Sequence, residues 1–259
     1  MFTKCRRQIR GDLLSGLIVY TIPLFTVSNE AVGIMAVLGL IPARGGSKGI
    51  HRKNIRTIAG KPLLTWTIEV ALKAKGVDAV VVSTDDEEIA EIALSAGAMV
   101  PFMRPAALAA DDTPGVDPVL HALGLLPQFN EVLLLQPTSP LRTAFDIEGV
   151  LALGNETGAP SIVTVCESED HPDWMYRIDT TGRLEPLMRT QSAKRRQDLP
   201  DVYTLNGAIY YARSEWLRKH RSFLGVETLG YLMPMERSID IDNPLQWQLA
   251  ELFLLKRFM

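Results

Sequence analysis

Just after a short apolar run, Arg44, Gly45, Gly46, Ser47, Lys48, Gly49, Arg52, Lys53 and Asn54 crowd into one loop. Glycines let a backbone approach a ligand closely and turn successive N–H groups inward, while the cations bring positive charge. That combination suits a triphosphate, although the same composition also serves an ordinary solvated turn. The spacing matches neither Gly-x-Gly-x-x-Gly nor Gly-x-x-x-x-Gly-Lys-Ser/Thr, which disfavours dinucleotide binding and P-loop hydrolysis.

A second candidate is Ser238-Ile239-Asp240-Ile241-Asp242. In extended backbone, residues two apart face the same way, so Asp240 and Asp242 share one side while Ile239 and Ile241 point into the core. Two neighbouring carboxylates repel unless a cation intervenes. Mg²⁺ fits, because it takes hard oxygen ligands, few of them protein carboxylates, and fills its shell with water and substrate phosphates. A surface turn is the competing reading, and Asp242 could also cap the helix that follows. The third candidate, Leu133 to Arg142, runs an apolar strand into Gln136-Pro137-Thr138-Ser139-Pro140. A proline-fixed loop with an amide and two hydroxyls suits the reading of sugar hydroxyls, or is a plain strand-to-helix turn.

These loops need a scaffold, and the chain has the length for one. Its 259 residues are 47% hydrophobic and 22% charged, ordinary for a globular α/β domain with a small appendage. A net charge of -3 gives no electrostatic reason to expect a nucleic-acid partner. Cys5 and Cys166 alone make neither a disulfide framework nor a thiolate zinc site, so a cytoplasmic location is expected. His51, His121, His171 and His220 lack ligand spacing.

Short apolar runs alternating with amphipathic stretches predict a doubly wound α/β domain with a mainly parallel sheet. Strands are expected at Ala36 to Pro42, Ala79 to Ser83, Met99 to Phe102, Val132 to Leu135 and Ser161 to Val165. Helices are expected at Leu63 to Ala74, Glu87 to Ala96, Val116 to Leu125 and Ala144 to Leu153. The rhythm then breaks: about 167–200 reads as a polar insertion holding a hairpin that turns at Thr181-Gly182. Strands resume at Asn206 to Tyr211 and Leu229 to Met233, and Pro244 to Leu255 closes as a helix. The domain is taken as 35–259. Residues 1–34, with Lys4, Arg6, Arg7 and Arg10 before an uncharged stretch interrupted by Pro23, read as an upstream extension of uncertain origin; membrane contact is the less favoured alternative.

The ordered motifs IPARGGSKGI…KN, GKPLL.WTIE.AL, VVSTDDEEIAEIA, RPA.LA.D.T, LLLQPTSPLR, NGAIYYA and SIDID span most of residues 35 to 255. Together they resemble the acylneuraminate cytidylyltransferases, also called CMP-sialic acid or CMP-nonulosonate synthetases. The resemblance implies a Rossmann-like, three-layer nucleotidyltransferase fold whose small insertion at 167–200 mediates homodimers in which each copy completes the other's sugar site. It implies Mg²⁺-dependent transfer of CMP from CTP to the anomeric hydroxyl of an acidic nine-carbon sugar, with release of pyrophosphate.

Residue by residue, the resemblance assigns Arg44, Gly45, Ser47, Lys48, Lys53 and Asn54 to CTP, with Arg44 and Lys48 neutralising the triphosphate. It assigns Asp240 and Asp242 to the metal, and Gln136, Arg196, Asn206 and Tyr210 to the sugar, with Arg196 forking onto its carboxylate. A solvated charge in a basic run is the competing reading of Arg196. Thr113 to Asp117 stand where N-acetylneuraminate enzymes often carry serines, and Met175 where some bacterial ones carry lysine. The pattern therefore suits a legionaminic or pseudaminic acid at least as well as N-acetylneuraminate. The alternatives are a Kdo cytidylyltransferase, a GT-A-like glycosyltransferase, or a catalytically silent nucleotide-binding protein.

Overall fold

The computed structural model describes residues 36–47, 49–188 and 195–256; of Arg196 only the backbone is described. The extension 1–34 and Lys48 lie outside these residues. In chain order the elements are β1 (Val37–Pro42), β2 (Thr57–Ile58), β3 (Lys61–Pro62), α1 (Leu63–Lys73), β4 (Ala79–Ser83), α2 (Glu87–Ser95), α3 (Asp117–Leu125), β5 (Glu131–Leu135), α4 (Ala144–Thr157) and β6 (Ser161–Glu167). There follow β7 (Tyr176–Ile178), β8 (Leu184–Pro186), β9 (Tyr203–Arg213), α5 (Ser214–His220), β10 (Leu229–Leu232) and α6 (Pro244–Lys256).

The main sheet has six strands in the order β10-β6-β9-β5-β1-β4. β9 runs antiparallel to both of its neighbours, and the other pairings are parallel. Helices cover both faces, which gives three layers: α1, α2 and α4 pack on one apolar cluster, α3 and α5 on another. β1 and β5 therefore lose both faces to the core, and Val37 to Pro42 and Val132 to Leu135 read as continuous apolar runs rather than alternating ones. Each fully buried Leu or Ile in such a strand contributes about 1.5–3 kcal/mol. A third cluster joins Trp247, Ala250 and Leu254 of α6 to Leu141 and Ile241, fixing the last helix beside the site.

Helix starts follow local chemistry. Thr143 and Asp146 form a reciprocal capping box at α4, which ends on Gly158 at φ 70°. At α6 the cap is Asn243, whose side chain accepts from Gln246 N at 3.0 Å while Gln246 Oε1 accepts from Asn243 N at 3.1 Å. Pro244 fills the first helical position. Of the two readings open for Asp242, the cap is thus taken by Asn243, and the Asp242 carboxylate lies outside it.

Met99 to Phe102 is not a strand. Single bridges link Val81 to Met99 and Thr84 to Met103, and between them Pro101 offers no N–H to a ladder. The expected hairpin is present as β7 and β8, antiparallel, with Ile178 opposite Leu184 and Gly182 at φ 85° in the turn.

Candidate active site

Parallel strands deliver their following loops to one edge of the sheet. β1 leads there into residues 43–54, β4 into Thr84-Asp85-Asp86, and β5 into residues 136–142. β9 arrives from the opposite direction: Ile209 pairs with Leu135, so Asn206, Gly207 and Ala208 lie beyond the carboxyl end of β5. The segment 238–242 returns to the same edge through Ile241 N, which donates to Thr138 O at 2.8 Å.

The glycine-rich loop is braced by carboxylates. Gly45 N donates to Asp85 Oδ1 at 3.2 Å, and a Cβ on Gly45 would stand 2.5 Å from Asp86 Oδ2, a fit that requires glycine. Asp86 caps α2 through Ile89 N and also receives Arg52 Nη1 at 2.6 Å. Burial pushes the Asp86 carboxyl up, but the Arg52 guanidinium and the Ile89 N–H together hold it below its ordinary value. Asn54 is buried and its amide donates to Arg44 O at 3.0 Å, so it shapes the loop from behind. Around Gly46 the space is open.

Arg44 Nη1 lies 2.7 Å from Asp111 Oδ1. Arg104, buried beneath it, approaches Asp85 Oδ1 at 3.4 Å. Burial lowers the Arg104 pKa, Asp85 opposes that, and the like charge of Arg44 lowers it further. Two guanidinium groups close enough to repel each other are each offset here by a carboxylate, Arg44 by Asp111 and Arg104 by Asp85. Arg104 and Asp85 were not singled out from the sequence, although both stand inside the motifs quoted above.

The two aspartates meet the glycine-rich loop through Lys53, whose Nζ donates to Ile241 O at 2.7 Å and stands 3.2 Å from Asp242 Oδ1. Asp242 is exposed and Asp240 half-buried, and Ile241 between them is fully buried, as alternation predicts. Burial, followed by the like charge of Asp242, pushes the Asp240 carboxyl up against the opposing effect of the Thr138 hydroxyl and Lys53. Asp240 Oδ1 is buried without a hydrogen-bond partner among the described residues. An orphaned carboxylate oxygen beside a second, exposed carboxylate fits a small divalent cation that completes its shell with water and phosphate.

Gln136 belongs to the same wall. A Cβ on Gly207 would lie 3.2 Å from Asp240 Oδ2 and 3.4 Å from Gln136 Oε1, so both oxygens converge over that glycine. Gly207, at φ 73°, lies where the β6–β9 register shifts. The irregularity is stitched by Thr164, whose hydroxyl donates to Asn206 Oδ1 at 2.6 Å and accepts from Ile209 N at 2.9 Å. Asn206 is buried; its Oδ1 also accepts from Ala208 N and its Nδ2 donates to Ser238 Oγ at 2.9 Å. Its amide thereby fastens β9 to the aspartate segment. Tyr210 is half-buried against Phe223, and burial, then the Asp240 charge, raises its hydroxyl pKa.

Arg44, Gly45, Lys53, Asn54, Gln136, Asn206, Tyr210, Asp240 and Asp242 thus gather at one edge, with Ser47 on the same loop. Among the described residues no helix is long and apolar enough to cross a membrane.

The family model described as cytidylyltransferase matches residues 38–238. A CMP-N,N'-diacetyllegionaminic acid synthase of Legionella pneumophila is 38% identical over 222 residues, covering 84% of this chain and 95% of that protein. An N-acylneuraminate cytidylyltransferase of Escherichia coli is 34% identical over 215 residues; the match takes in 83% of this chain but about half, 51%, of that longer protein. In fold the chain is similar to CMP:2-keto-3-deoxy-manno-octonic acid synthetase complexed with CTP, with a TM-score of 0.68, 18% identity, and coverage of 86% of this chain and 99% of the other. From the sheet order, the site and these likenesses together, the chain belongs to the cytidylyltransferase family.

Proposed function

We propose that this protein transfers CMP from CTP to the anomeric hydroxyl of a nonulosonic acid. The sugar oxygen attacks the α-phosphorus, the bond from that phosphorus to the β-phosphate oxygen breaks, pyrophosphate leaves, and the hydroxyl proton passes to solvent. The observation that carries this reading is the convergence of Lys53, Asp240, Asp242 and Gln136 on one crevice, with Arg44 and Arg104 on its wall.

Nucleotidyl transfer depends on positioning and charge neutralisation more than on a covalent nucleophile. Arg44 and Lys48 neutralise the triphosphate, while Gly45, Ser47, Lys53 and Asn54 shape its cradle. Asp240 and Asp242 hold Mg²⁺, which when bound supplies positive charge to the phosphates and acidity to the attacking hydroxyl. Gln136 reads a sugar hydroxyl, Asn206 keeps that wall in place, Tyr210 lines the pocket, and Arg196 forks onto the sugar carboxylate.

The catalytic domain is 35–259, and two copies pair through residues 167–200 in the cytoplasm. An exposed apolar row on the hairpin, Tyr176, Ile178, Leu184, Leu187 and Met188, supports that pairing. Among nonulosonic acids a legionaminic type is favoured, because the Legionella relative is both the more identical of the two and matched nearly end to end.

The test is a panel of nonulosonic acids incubated with Mg²⁺ and CTP or UTP, read by pyrophosphate release and product mass. A CMP-sugar from a legionaminic acid in preference to the others is expected. No CMP-nonulosonate from any acid would sink the reading.

A further inference from the structure

Arg142 is among the largest fully buried side chains of the protein, yet it carries a full charge. Its Nη1 donates to Ala208 O at 2.6 Å and approaches Gln136 O at 3.3 Å; its Nη2 donates to Thr67 Oγ1 at 2.9 Å and again approaches Gln136 O at 3.3 Å. Its Nε has no partner among the described residues. Asp146, whose charge reaches it, is itself bonded to Arg237 at 2.8 Å. Burial accordingly pushes the guanidinium down to about 9 against the pull of Asp146. A cation buried on carbonyls is expensive, and an apolar side chain of similar volume fills such a space at lower cost.

What the charge does is visible in its acceptors. Ala208 adjoins Gly207, over which Gln136 Oε1 and Asp240 Oδ2 converge, and Gln136 supplies the other carbonyl. A planar fork reaches both carbonyls at once, which one ammonium on a flexible stem does not reproduce. We infer that Arg142 is a positioning residue of the transfer reaction: one guanidinium ties the main chain of Gln136 to that of Ala208 and thereby sets the spacing between the sugar-reading amide and the Asp240 carboxylate. This rests on the function proposed above.

The experiment compares wild type with Arg142→Met, Arg142→Lys and Thr67→Val, using CTP and whichever nonulosonic acid wild type accepts. Thr67→Val removes one bond of the same guanidinium but touches neither Gln136 nor Ala208, and is expected to lower Tm with the sugar KM unchanged. Arg142→Met is expected to raise the sugar KM at least tenfold with the CTP KM within twofold, and Arg142→Lys to fall between. Calorimetric titration of the sugar acid, with no turnover, is expected to give the same ranking. Arg142→Met with a wild-type sugar KM and only a lowered Tm overturns the inference; if that variant does not fold, a wild-type sugar KM in Arg142→Lys does so. Wild type that neither binds nor converts any nonulosonic acid removes the proposed function first, and the role of Arg142 with it.

Discussion

Gly49 lies against the main chain of Asp242 so closely that a Cβ on it would stand 2.5 Å from Asp242 O. The obstructing atom is backbone, so it cannot swing aside as the tip of a long side chain can. Gly49→Ala is expected to push the aspartate segment away from Lys53, which holds Ile241 O at 2.7 Å. Steady-state kinetics should show kcat/KM reduced about tenfold or more, equivalent to ~1.4 kcal/mol of transition-state stabilisation. Wild-type kinetics in this variant would mean that the two loops move independently.

Asp240→Asn separates chemistry from stability. The carboxylate is partly buried, one oxygen has no partner, and Asp242 repels it, so neutralising it relieves the free protein. Tm is expected to hold or rise. Turnover is expected to fall by a factor on the order of 100 or more, as when a charge-stabilising group is removed from a reacting centre. Retained turnover would exclude Asp240 from metal binding.

The Arg237–Asp146 pair predicts an acid-sensitive contribution to stability. Burial pushes the Asp146 carboxyl up, but hydrogen bonds from Arg237 and Thr143 outweigh it and leave the group below its ordinary value. A depressed folded pKa means that the contribution is complete above the unfolded value of about 3.9 and disappears as pH falls through the folded one. Arg237→Met strands a buried charge and should cost about 3 kcal/mol at neutral pH. Urea unfolding at several pH values is expected to show the wild-type and variant curves converging in acid; a constant gap would assign the loss to packing.

Pairing of two copies is addressed at the hairpin, where Ile178 faces Leu184 across the strands and both are more than half exposed. Ile178→Asp with Leu184→Lys places opposite charges on neighbouring strands, a pairing compatible with the hairpin itself. Sedimentation equilibrium should then report a single chain where wild type reports two, and the sugar KM should rise at least tenfold. A double variant that still sediments as two chains would move the interface elsewhere.

The sheet and its helices were legible because burial on both faces writes itself as apolar runs: Ala79 to Ser83 was read to its exact ends, and Leu63 to Lys73 to within one residue. What escaped was stored in single atoms and distant partners. Pro101 broke an apolar run that otherwise qualifies as a strand, and Asn243 took the cap that Asp242 could also have supplied because only the reach of Gln246 distinguishes them. At the site, residue types announced Lys53, Asp240 and Asp242. Nothing local announced Arg142, whose acceptors lie on α1, on β9 and in its own loop. Asn206 shows the converse: its type suits ligand binding, but only the placement of Thr164 and Ser238 reveals the structural bonds that its amide also makes.

β9 joins two pieces of the sheet that do not touch, β10 and β6 on one side and β5, β1 and β4 on the other. During synthesis, β5 and β6 each emerge with an open edge that nothing earlier in the chain can close, and an open edge is a hazard for pairing with the wrong chain. The strand that closes both of these edges also carries Gly207, over which Gln136 Oε1 and Asp240 Oδ2 converge. A ribosome that stalls before residue 203 therefore releases both edges unpaired, whereas one that passes Arg213 has supplied the strand that joins them, with β10 and the aspartate segment 238–242 still to follow.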